Sequence, residues 1–197
     1  MACDPLHVRG PSIRRAQVED AGALAILQNS ANAGQMAVVW GEGGRDWRAT
    51  GEREIARGGT EMSVANTLVA TFGDDVVGFV NFALNDDPPP SADSLGAPFA
   101  ALRSAFGPCL YLRAMAVDEA HGGQGVAKRL LDVSESAAET FGARALGVIV
   151  HESNDRLIAH YERRGFREIA RDTVREHVTY PVGSALVALR KSLGAIG

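Results

Sequence analysis

The sequence predicts a single mixed α/β domain in which helices cover both faces of a central, mostly antiparallel sheet. Two β-rich runs, 63–72 and 76–84, flank Gly73-Asp74-Asp75, a composition typical of an antiparallel hairpin. An apolar run over 109–117, a helical pattern and a second apolar run over 145–150 imply one right-handed parallel crossover. The length of 197 residues favours one well-buried core over two.

The other elements follow from hydrophobic spacing and from Gly, Pro and capping residues. We expect a flexible leader over residues 1–11 and then one domain over 12–197. Its first half should contain a strand at 12–16, helices from Asp20 to about 31–34 and over 46–57, the hairpin, and an exposed Asp- and Pro-rich excursion over 85–94. Its second half should contain a short helix over 97–106, the strand at 109–117, a helix over 124–141, the strand at 145–150, a helix capped by Asn154 and Asp155, and strands at 166–170 and 184–190.

Strict alternation along the strand at 109–117 predicts two unlike faces. One would carry Leu110, Leu112, Ala114 and Ala116, and the other Tyr111, Arg113, Met115 and Val117. One of these faces is expected to line a ligand site.

Composition and charge exclude several classes of protein. A hydrophobic content of 46% and a charged content of 22% are typical of a globular chain. The net charge is −4 and the basic residues are scattered, which predicts no nucleic-acid and no membrane partner. No apolar run reaches the roughly 18 residues of a membrane helix. Two cysteines without the Cys/His spacing of a zinc site predict no metal and favour the reducing cytoplasm.

The stretch with most functional information is Ala120–Leu131, AHGGQGVAKRLL, which follows an apolar strand and leads into an amphipathic helix. Glycines allow a sharp turn whose N–H groups point inward, and the helix adds its unpaired N–H groups and the positive end of its dipole. The pattern therefore predicts an anion cradle for a phosphate-bearing ligand. A glycine cluster alone fits an ordinary strand-to-helix turn equally well.

From about Ser12 to the end, the sequence resembles the GCN5-related N-acetyltransferase (GNAT) superfamily. The segment LRAMAVDEAHGGQGVAKRLL is similar to the acetyl-CoA signature of that superfamily, with Gly122, Gly125 and Ala127 at matching positions. A second block, Asn154, Leu157, Tyr161 and Gly165-Phe166, is similar to a later motif. The acidic Pro-rich run Asp86–Pro90 also resembles a subgroup with such a loop before the signature strand. The sequence departs from the pattern at Gly122, where the superfamily usually has Arg or Gln.

The resemblance implies that the chain transfers the acetyl group of acetyl-CoA to a primary amine of a small-molecule or peptide acceptor. Acetyl-CoA is the implied cosubstrate, without a metal. The implied coenzyme contacts are Met115, Ala116, Val117, Gly122, Gly123, Gln124, Gly125, Val126, Ala127, Lys128 and Asn154. Tyr161 is the implied general acid for the coenzyme thiolate; a plain core aromatic is the structural alternative for this residue. Asn154 is also interpreted as a helix cap.

Two roles in the reaction remain open in the sequence. Candidates for the general base are Asp118, Glu119, His151 and Glu152, although residues of this kind are more often solvated loop residues than bases. Candidates for the acceptor pocket are Trp40, Trp47, Tyr111 and Arg113, because aromatics and one charge can orient a small ligand. Burial of the tryptophans in the core is the competing interpretation. The acidic chain favours a cationic acceptor, and the apolar segment 35–40 would permit a homodimer.

Two other functions are considered. A module of the same fold could bind or sense acyl-CoA without catalysis, with Gly122 as the sign of a decayed site. A dinucleotide-binding domain is disfavoured because the glycines follow an antiparallel hairpin and no second βαβ half is visible.

Overall fold

The computed structural model describes residues 10–86, 97–173 and 185–194. Three sequence predictions therefore fall wholly or partly outside the described residues: the flexible leader, most of the Asp- and Pro-rich excursion, and the first residue of the last strand, Ser184.

The described residues form one seven-stranded sheet with six helices. The strands are β1 (Ser12–Arg15), β2 (Thr67–Phe72), β3 (Asp75–Leu84), β4 (Leu110–Val117), β5 (Ala145–His151), β6 (Arg167–Thr173) and β7 (Ala185–Ser192), in the order β1-β2-β3-β4-β5-β7-β6. The helices are α1 (Ala21–Ala31), α2 (Gln35–Gly41), α3 (Trp47–Ala56), α4 (Ala97–Phe106), α5 (Val126–Thr140) and α6 (Asp155–Arg163). This mixed, mostly antiparallel sheet confirms the predicted fold class.

The parallel pair of strands sits in the middle of the sheet. β4 and β5 pair in parallel through Leu110 with Leu146, Tyr111 with Gly147 and Leu112 with Val148. Every other pairing of neighbouring strands is antiparallel. Beyond Leu112 and Val148 the two strands part, and among the described strands each continues paired with its other neighbour alone. The predicted crossover is thus confirmed, and the divergence opens a cleft in the sheet.

A β-bulge in β4 lies next to this divergence. Asn81 of β3 pairs with Ala114, whereas the next residue, Phe82, pairs with Leu112, so Arg113 is the extra residue. The bulge changes which side chains share a face. Leu110, Leu112, Met115 and Val117 pack in the core beneath α5, and Tyr111, Ala114 and Ala116 pack on the other face. The predicted strict alternation is therefore wrong beyond Leu112.

Helices cover both faces of the sheet. One face carries α5 and α6, whose Val126, Leu130, Leu131 and Tyr161 pack on β4 and β5 in a core that we call the α5 core. The opposite face carries α1–α3, with Leu24, Trp40 and Ile55 buried against β2–β4. On the same side, α4 packs against β5, β6 and β7.

Several predicted boundaries shift for identifiable reasons. β2 begins at Thr67 instead of residue 63, because a short 3-10 turn precedes it and the Thr67 hydroxyl donates a hydrogen bond to the Ser63 carbonyl. The end of α6 follows the prediction. Gly165 is left-handed with φ 90°, and the Phe166 amide donates to the Tyr161 carbonyl in a Schellman turn.

Candidate active site

The divergence of β4 and β5 creates a cleft of about 500 Å³. Its walls come from the α1–α2 turn, α4, β4, β5, the start of α6 and β7. The lining residues are Ser30, Ala31, Asn32, Ala33, Gln35, Phe99, Leu112, Arg113, Ala114, Met115, Val148, Ile149, Val150, His151, Ser153, Asn154, Leu157, Tyr161 and Leu186. A cavity of this size suits a small ligand.

The glycine-rich loop lies beyond this cleft, at the end of the same strand. β4 ends at Val117, a 3-10 turn spans Glu119–His121, and α5 starts at Val126. The predicted helix start at residue 124 is wrong by two residues, because Gly125 adopts φ 78°, a left-handed conformation that is not helical. Gly122, Gly123, Gln124 and Gly125 are all exposed.

The first turn of α5 presents backbone donors at this loop. The first backbone hydrogen bond of the helix runs from the Arg129 amide to the Gly125 carbonyl at 3.0 Å. The N–H groups of Val126, Ala127 and Lys128 therefore start the helix without an intrahelical acceptor. The Lys128 side chain adds a positive charge here, and it is engaged with Asp132 at 2.9 Å. The arrangement is suited to binding phosphate oxygens through backbone groups.

The predicted coenzyme contacts on β4 occupy the strand beyond its last pair with β5. Met115 lines the cleft and is half-buried. Ala116 packs towards α1–α3 and Val117 towards the α5 core. Because none of the described strands pairs with the β5 side of this segment, its backbone can hydrogen-bond to an extended ligand such as the pantetheine arm of coenzyme A.

Tyr161 and Asn154 both line the cleft from α6. Asn154 caps the helix: its side-chain oxygen accepts a hydrogen bond from the Leu157 amide at 3.2 Å, which confirms the predicted cap. Tyr161 is 2% exposed and packs edge-on against Phe166, with ring centroids 5.1 Å apart. Burial, and secondarily the neighbouring Tyr111, raises the pKa of the Tyr161 hydroxyl. The phenol is therefore fully protonated at neutral pH.

The four base candidates differ in position. His151, at the end of β5, lines the cleft, and burial lowers its pKa, so that the neutral imidazole predominates at pH 7. Asp118 accepts a hydrogen bond from the Ala120 amide at 2.9 Å. Glu152 accepts from Arg171 at 2.8 Å and from the Ala185 amide at 3.0 Å. Neither of these carboxylates, nor the exposed Glu119, belongs to the cleft wall.

Of the four acceptor-pocket candidates, the cleft wall includes only Arg113. Trp40 is 4% exposed in the core formed by α1–α3, and Trp47 packs against the same core with the Arg48 guanidinium over its ring. Tyr111 lies beneath the Arg103 guanidinium, 4.8 Å from its ring centroid. Trp40 and Tyr111 are buried core residues and Trp47 is a partly buried residue packed against the core, so we do not carry these three aromatics into the proposed acceptor site.

Two features were not predicted from the sequence, one in the cleft wall and one beside it, next to Arg113. The α1–α2 turn contributes Ser30, Asn32 and Gln35 to the cleft, and its Ala33 has a positive φ of 50°. A second feature is an ionic network in which Arg103 of α4 binds both carboxylate oxygens of Glu61 at 3.1 Å. The Ser- and Asn-containing segment between two apolar helices was the available signal for the turn. No local pattern links Glu61 to Arg103, which are 42 residues apart in sequence.

Over residues 10–86, 97–173 and 185–194 there is no cluster of His, Cys, Asp and Glu side chains suited to a metal ion. None of the described helices combines the length and apolar character needed to cross a bilayer.

Comparison with known proteins identifies the family. The sequence profile of the Acetyltransferase (GNAT) family matches residues 41–166. The comparison with curated proteins gives no match.

Solved structures show the same fold. An acetyltransferase is similar with a TM-score of 0.69 and 19% identity, over 93% of this chain and 100% of that chain. An N-acetyltransferase from Staphylococcus aureus Mu50 has a TM-score of 0.61 and 19% identity, over 94% and 99%. The IAA acetyltransferase from Bacillus cereus ATCC 14579 has a TM-score of 0.59 and 20% identity, over 93% and 100%. With the profile match covering more than half of its residues, the chain belongs to the acetyltransferase (GNAT) family.

Proposed function

We propose that this protein is an N-acetyltransferase that uses acetyl-CoA to acetylate a primary amine of a small-molecule acceptor. The observation that carries the proposal is the cleft between β4 and β5, where a free strand edge, a buried tyrosine and a neutral histidine come together beside a loop of backbone donors. Acetyl-CoA would supply the acetyl group as a thioester, already activated for attack by an amine.

We assign the binding of the acetyl donor, acetyl-CoA, to backbone groups. The amides of Val126, Ala127 and Lys128 would hold the pyrophosphate, and the free edge of β4 from Ala114 to Val117 would hold the pantetheine arm. Asn154 would contact the same arm from α6. These contacts would place the thioester at the point where the strands part and would lower the entropic cost of the reaction.

Proton transfer is assigned to two side chains of the cleft. His151 would accept the proton of the attacking amine, directly or through a water molecule, because its lowered pKa keeps it neutral. The Tyr161 hydroxyl would donate a proton to the departing thiolate as the carbon–sulfur bond breaks, because its pKa is raised by burial. The amine nitrogen thus gains the acetyl group and loses one proton, and the sulfur gains one.

The proposal is tested by calorimetric titration with acetyl-CoA together with thiol release and mass spectrometry of the acetylated product over a panel of amines. We expect binding and acetyl transfer to at least one amine. Absence of acetyl-CoA binding would contradict the proposal. Tight binding without turnover of any amine would favour a non-catalytic acyl-CoA-binding module instead.

The variant Tyr161→Phe tests the assignment of Tyr161 as the general acid. We expect kcat to fall by about 10- to 100-fold, within the range of general acid catalysis, because Phe keeps the packing against Phe166 but has no proton to donate. The dissociation constant of acetyl-CoA, measured by calorimetry, should change less than about twofold, which controls for the fold of the site. An unchanged kcat would show that Tyr161 is not the acid.

A further inference from the structure

The side of the sheet that carries His151 is apolar where it borders the cleft. Side chains of β5 alternate between two faces: Val148 and Val150 pack in the α5 core, whereas Ile149 packs on the opposite face, beside α4. His151 is two residues after Ile149 and pairs with Leu186 of β7, which belongs to the same cluster as Ile149. These three side chains, Ile149, His151 and Leu186, therefore share one face of the sheet, which we call the His151 face.

Tyr161 approaches the cleft from the other side of the sheet, because it packs in the α5 core together with Val126 of the first turn of α5. In the proposed reaction the coenzyme thiolate takes its proton from Tyr161, and the amine gives its proton to His151. Coenzyme and acceptor would therefore reach the reacting carbon from opposite sides of the sheet. The acceptor would lie against the His151 face.

Apolar side chains border the position of the amine. Ile149 and Phe99 of α4 are half-buried and line the cleft, and Leu186, which is 1% exposed, lines it as well. Side chains two residues apart on one face of a strand are about 7 Å apart, and directly opposite side chains of paired antiparallel strands are about 5 Å apart. When the amine nitrogen is within hydrogen-bonding reach of His151, a substituent of a few carbon atoms therefore reaches Ile149 and Leu186.

Polar side chains also line the cleft, but they come from other elements. Ser30, Asn32 and Gln35 belong to the α1–α2 turn, and Arg113 belongs to the bulge of β4. A hydroxyl, amide or charged substituent against the apolar side chains of the His151 face would lose hydration without gaining a hydrogen bond from them. An apolar substituent gains there instead, by a factor of about three to four in affinity for each buried methylene group.

We propose that the acceptor is a primary amine with a hydrocarbon substituent, and that Ile149, Phe99 and Leu186 bind this substituent beside the reacting nitrogen. The inference rests on the proposed acetyl transfer and names the class of acceptor for it. The amine itself is a monocation in water, which agrees with the net charge of −4. A second charge on the substituent, as in a polyamine, would have to be desolvated against the apolar side chains.

The first test compares matched amines with the wild-type protein. Linear alkylamines from ethylamine to hexylamine have nearly the same basicity, so differences among them report contacts of the substituent. We expect kcat/KM to rise about two- to fourfold for each added methylene group until the subsite is filled.

Three pairs of amines with equal numbers of heavy atoms extend this test: pentylamine with putrescine, butylamine with methoxyethylamine, and phenethylamine with pyridylethylamine. In the pair with the highest kcat/KM, we expect the hydrocarbon amine to exceed its polar partner at least about fivefold. Methoxyethylamine has the less basic amine and hence more of the reactive free base, so reactivity alone would favour the polar member of that pair.

The second test shortens side chains of the subsite. Ile149→Ala should lower kcat/KM for the best hydrocarbon amine at least about fivefold, while kcat/KM for ethylamine changes less than about twofold, because ethylamine is too short to reach the missing atoms. Phe99→Ala should give the same selective loss. Ile13→Ala is the matched control, because Ile13 is also half-buried in a strand but packs against the α5 core outside the cleft wall. This variant should keep the wild-type preference.

The outcomes separate this inference from the proposed function. If the wild-type protein does not bind acetyl-CoA by calorimetry, the proposed function itself fails. If it binds acetyl-CoA but uses the polar amine of the best pair equally well or better, or acetylates no amine of the panel, the inference is overturned. It is also overturned if Ile149→Ala and Phe99→Ala retain acetyl-CoA affinity and neither loses the hydrocarbon amine selectively. Should Ile149→Ala fail to fold, Phe99→Ala decides alone.

Discussion

Burial acts in opposite directions on the two titratable side chains assigned to proton transfer. It raises the pKa of Tyr161 and lowers that of His151, because in both cases the low-polarity surroundings disfavour the charged form. At neutral pH the phenol therefore keeps its proton and the imidazole lacks its second one. Burial thus keeps Tyr161 in the form that can donate a proton and His151 in the form that can accept one.

The pH dependence of turnover should report His151. Protonation of its imidazole at low pH removes the base, so kcat/KM should fall by up to about tenfold per pH unit below the folded pKa, which lies under the ordinary value of about 6.5. His151→Gln should have low activity, and its kcat/KM should not show this acidic limb, the fall at low pH. The measurement is kcat/KM for the best acceptor between pH 5 and 8.

His160→Gln is the matched control for this prediction. Burial, and then the charges of Arg163 and Arg164, also lowers the pKa of His160, but this residue is outside the cleft wall. The His160→Gln variant should keep the wild-type acidic limb of the kcat/KM profile. A limb that disappears in His160→Gln, or persists in an otherwise active His151→Gln, would contradict the assignment of His151.

The roles of single residues were predicted well where they depend on near neighbours in the sequence and poorly where they depend on the fold. Asn154 was correctly interpreted as a cap because the cap forms with Leu157, three residues away. Trp40 and Trp47 were assigned to a pocket, although Trp40 is buried in the core and Trp47 packs against it, since an aromatic side chain has the same composition signal in both places.

At the scale of elements, the loop and first turn of α5 depend on the backbone at Gly125. A Cβ at this position would meet no atom within 4 Å, so substitution is not opposed by a clash. It is opposed by φ 78°, which costs an L-residue about 1–2 kcal/mol and a β-branched one more. The orientation of the Val126–Lys128 amides therefore depends on glycine.

Gly125→Val should weaken acetyl-CoA binding about tenfold, because relief of the backbone strain turns these amides away from the pyrophosphate. Gly194→Val is the control: its Cβ also meets open space, and its φ lies outside the left-handed region. Calorimetry on both variants gives the comparison. Equal affinity in the two variants would mean that the loop does not hold the coenzyme.

Two elements show why local pattern predicts less than the complete fold. The run 63–72 was predicted as one strand, but its first residues form a turn held by contacts such as Asn81 Nδ2 to the Asn66 carbonyl at 3.2 Å. The bulge at Arg113 depends likewise on the register between β3 and β4. The residues of the turn and of the bulge do not by themselves specify these conformations, because both depend on partners that are distant in the sequence.

At the scale of the whole molecule, few strand contacts join the two halves of the sheet. β4 and β5 share three residue pairs, so the packing of α5 and α6 must help to hold the halves together. An ionic network adds to this packing. Arg164, at the end of α6, contacts Asp132 and Glu135 of α5, and Lys191 of β7 lies 2.6 Å from Glu135.

Arg164→Gln should lower the free energy of unfolding by about 0.5–1 kcal/mol, the range for partly exposed ion pairs, and the loss should shrink at high salt. Hydrogen bonding from Arg164, then from Lys128, lowers the pKa of Asp132. Its stabilising contribution is therefore present above the ordinary Asp pKa of about 4 and is lost as the pH falls through the lowered value.

Chemical denaturation at pH 7 and pH 3, in low and high salt, measures both effects. Arg164→Gln should lose less stability between pH 7 and pH 3 than the wild-type protein does. Arg57→Gln, whose pair with Glu54 spans a single turn of α3, should change by no more than a few tenths of a kcal/mol. A similar effect in both variants would show that the network does not join the halves.

The sequence by itself determined the mixed fold, the order of strands and helices and the position of the glycine-rich loop. These features depend on local periodicity, turn residues and caps, which act over a few residues. Only the tertiary structure decided which side chains meet in the cleft. The divergence of β4 from β5, the bulge at Arg113 and the pairing of Glu61 with Arg103 involve residues 30 to 42 positions apart. Such contacts depend on register and packing, which a local sequence pattern does not specify.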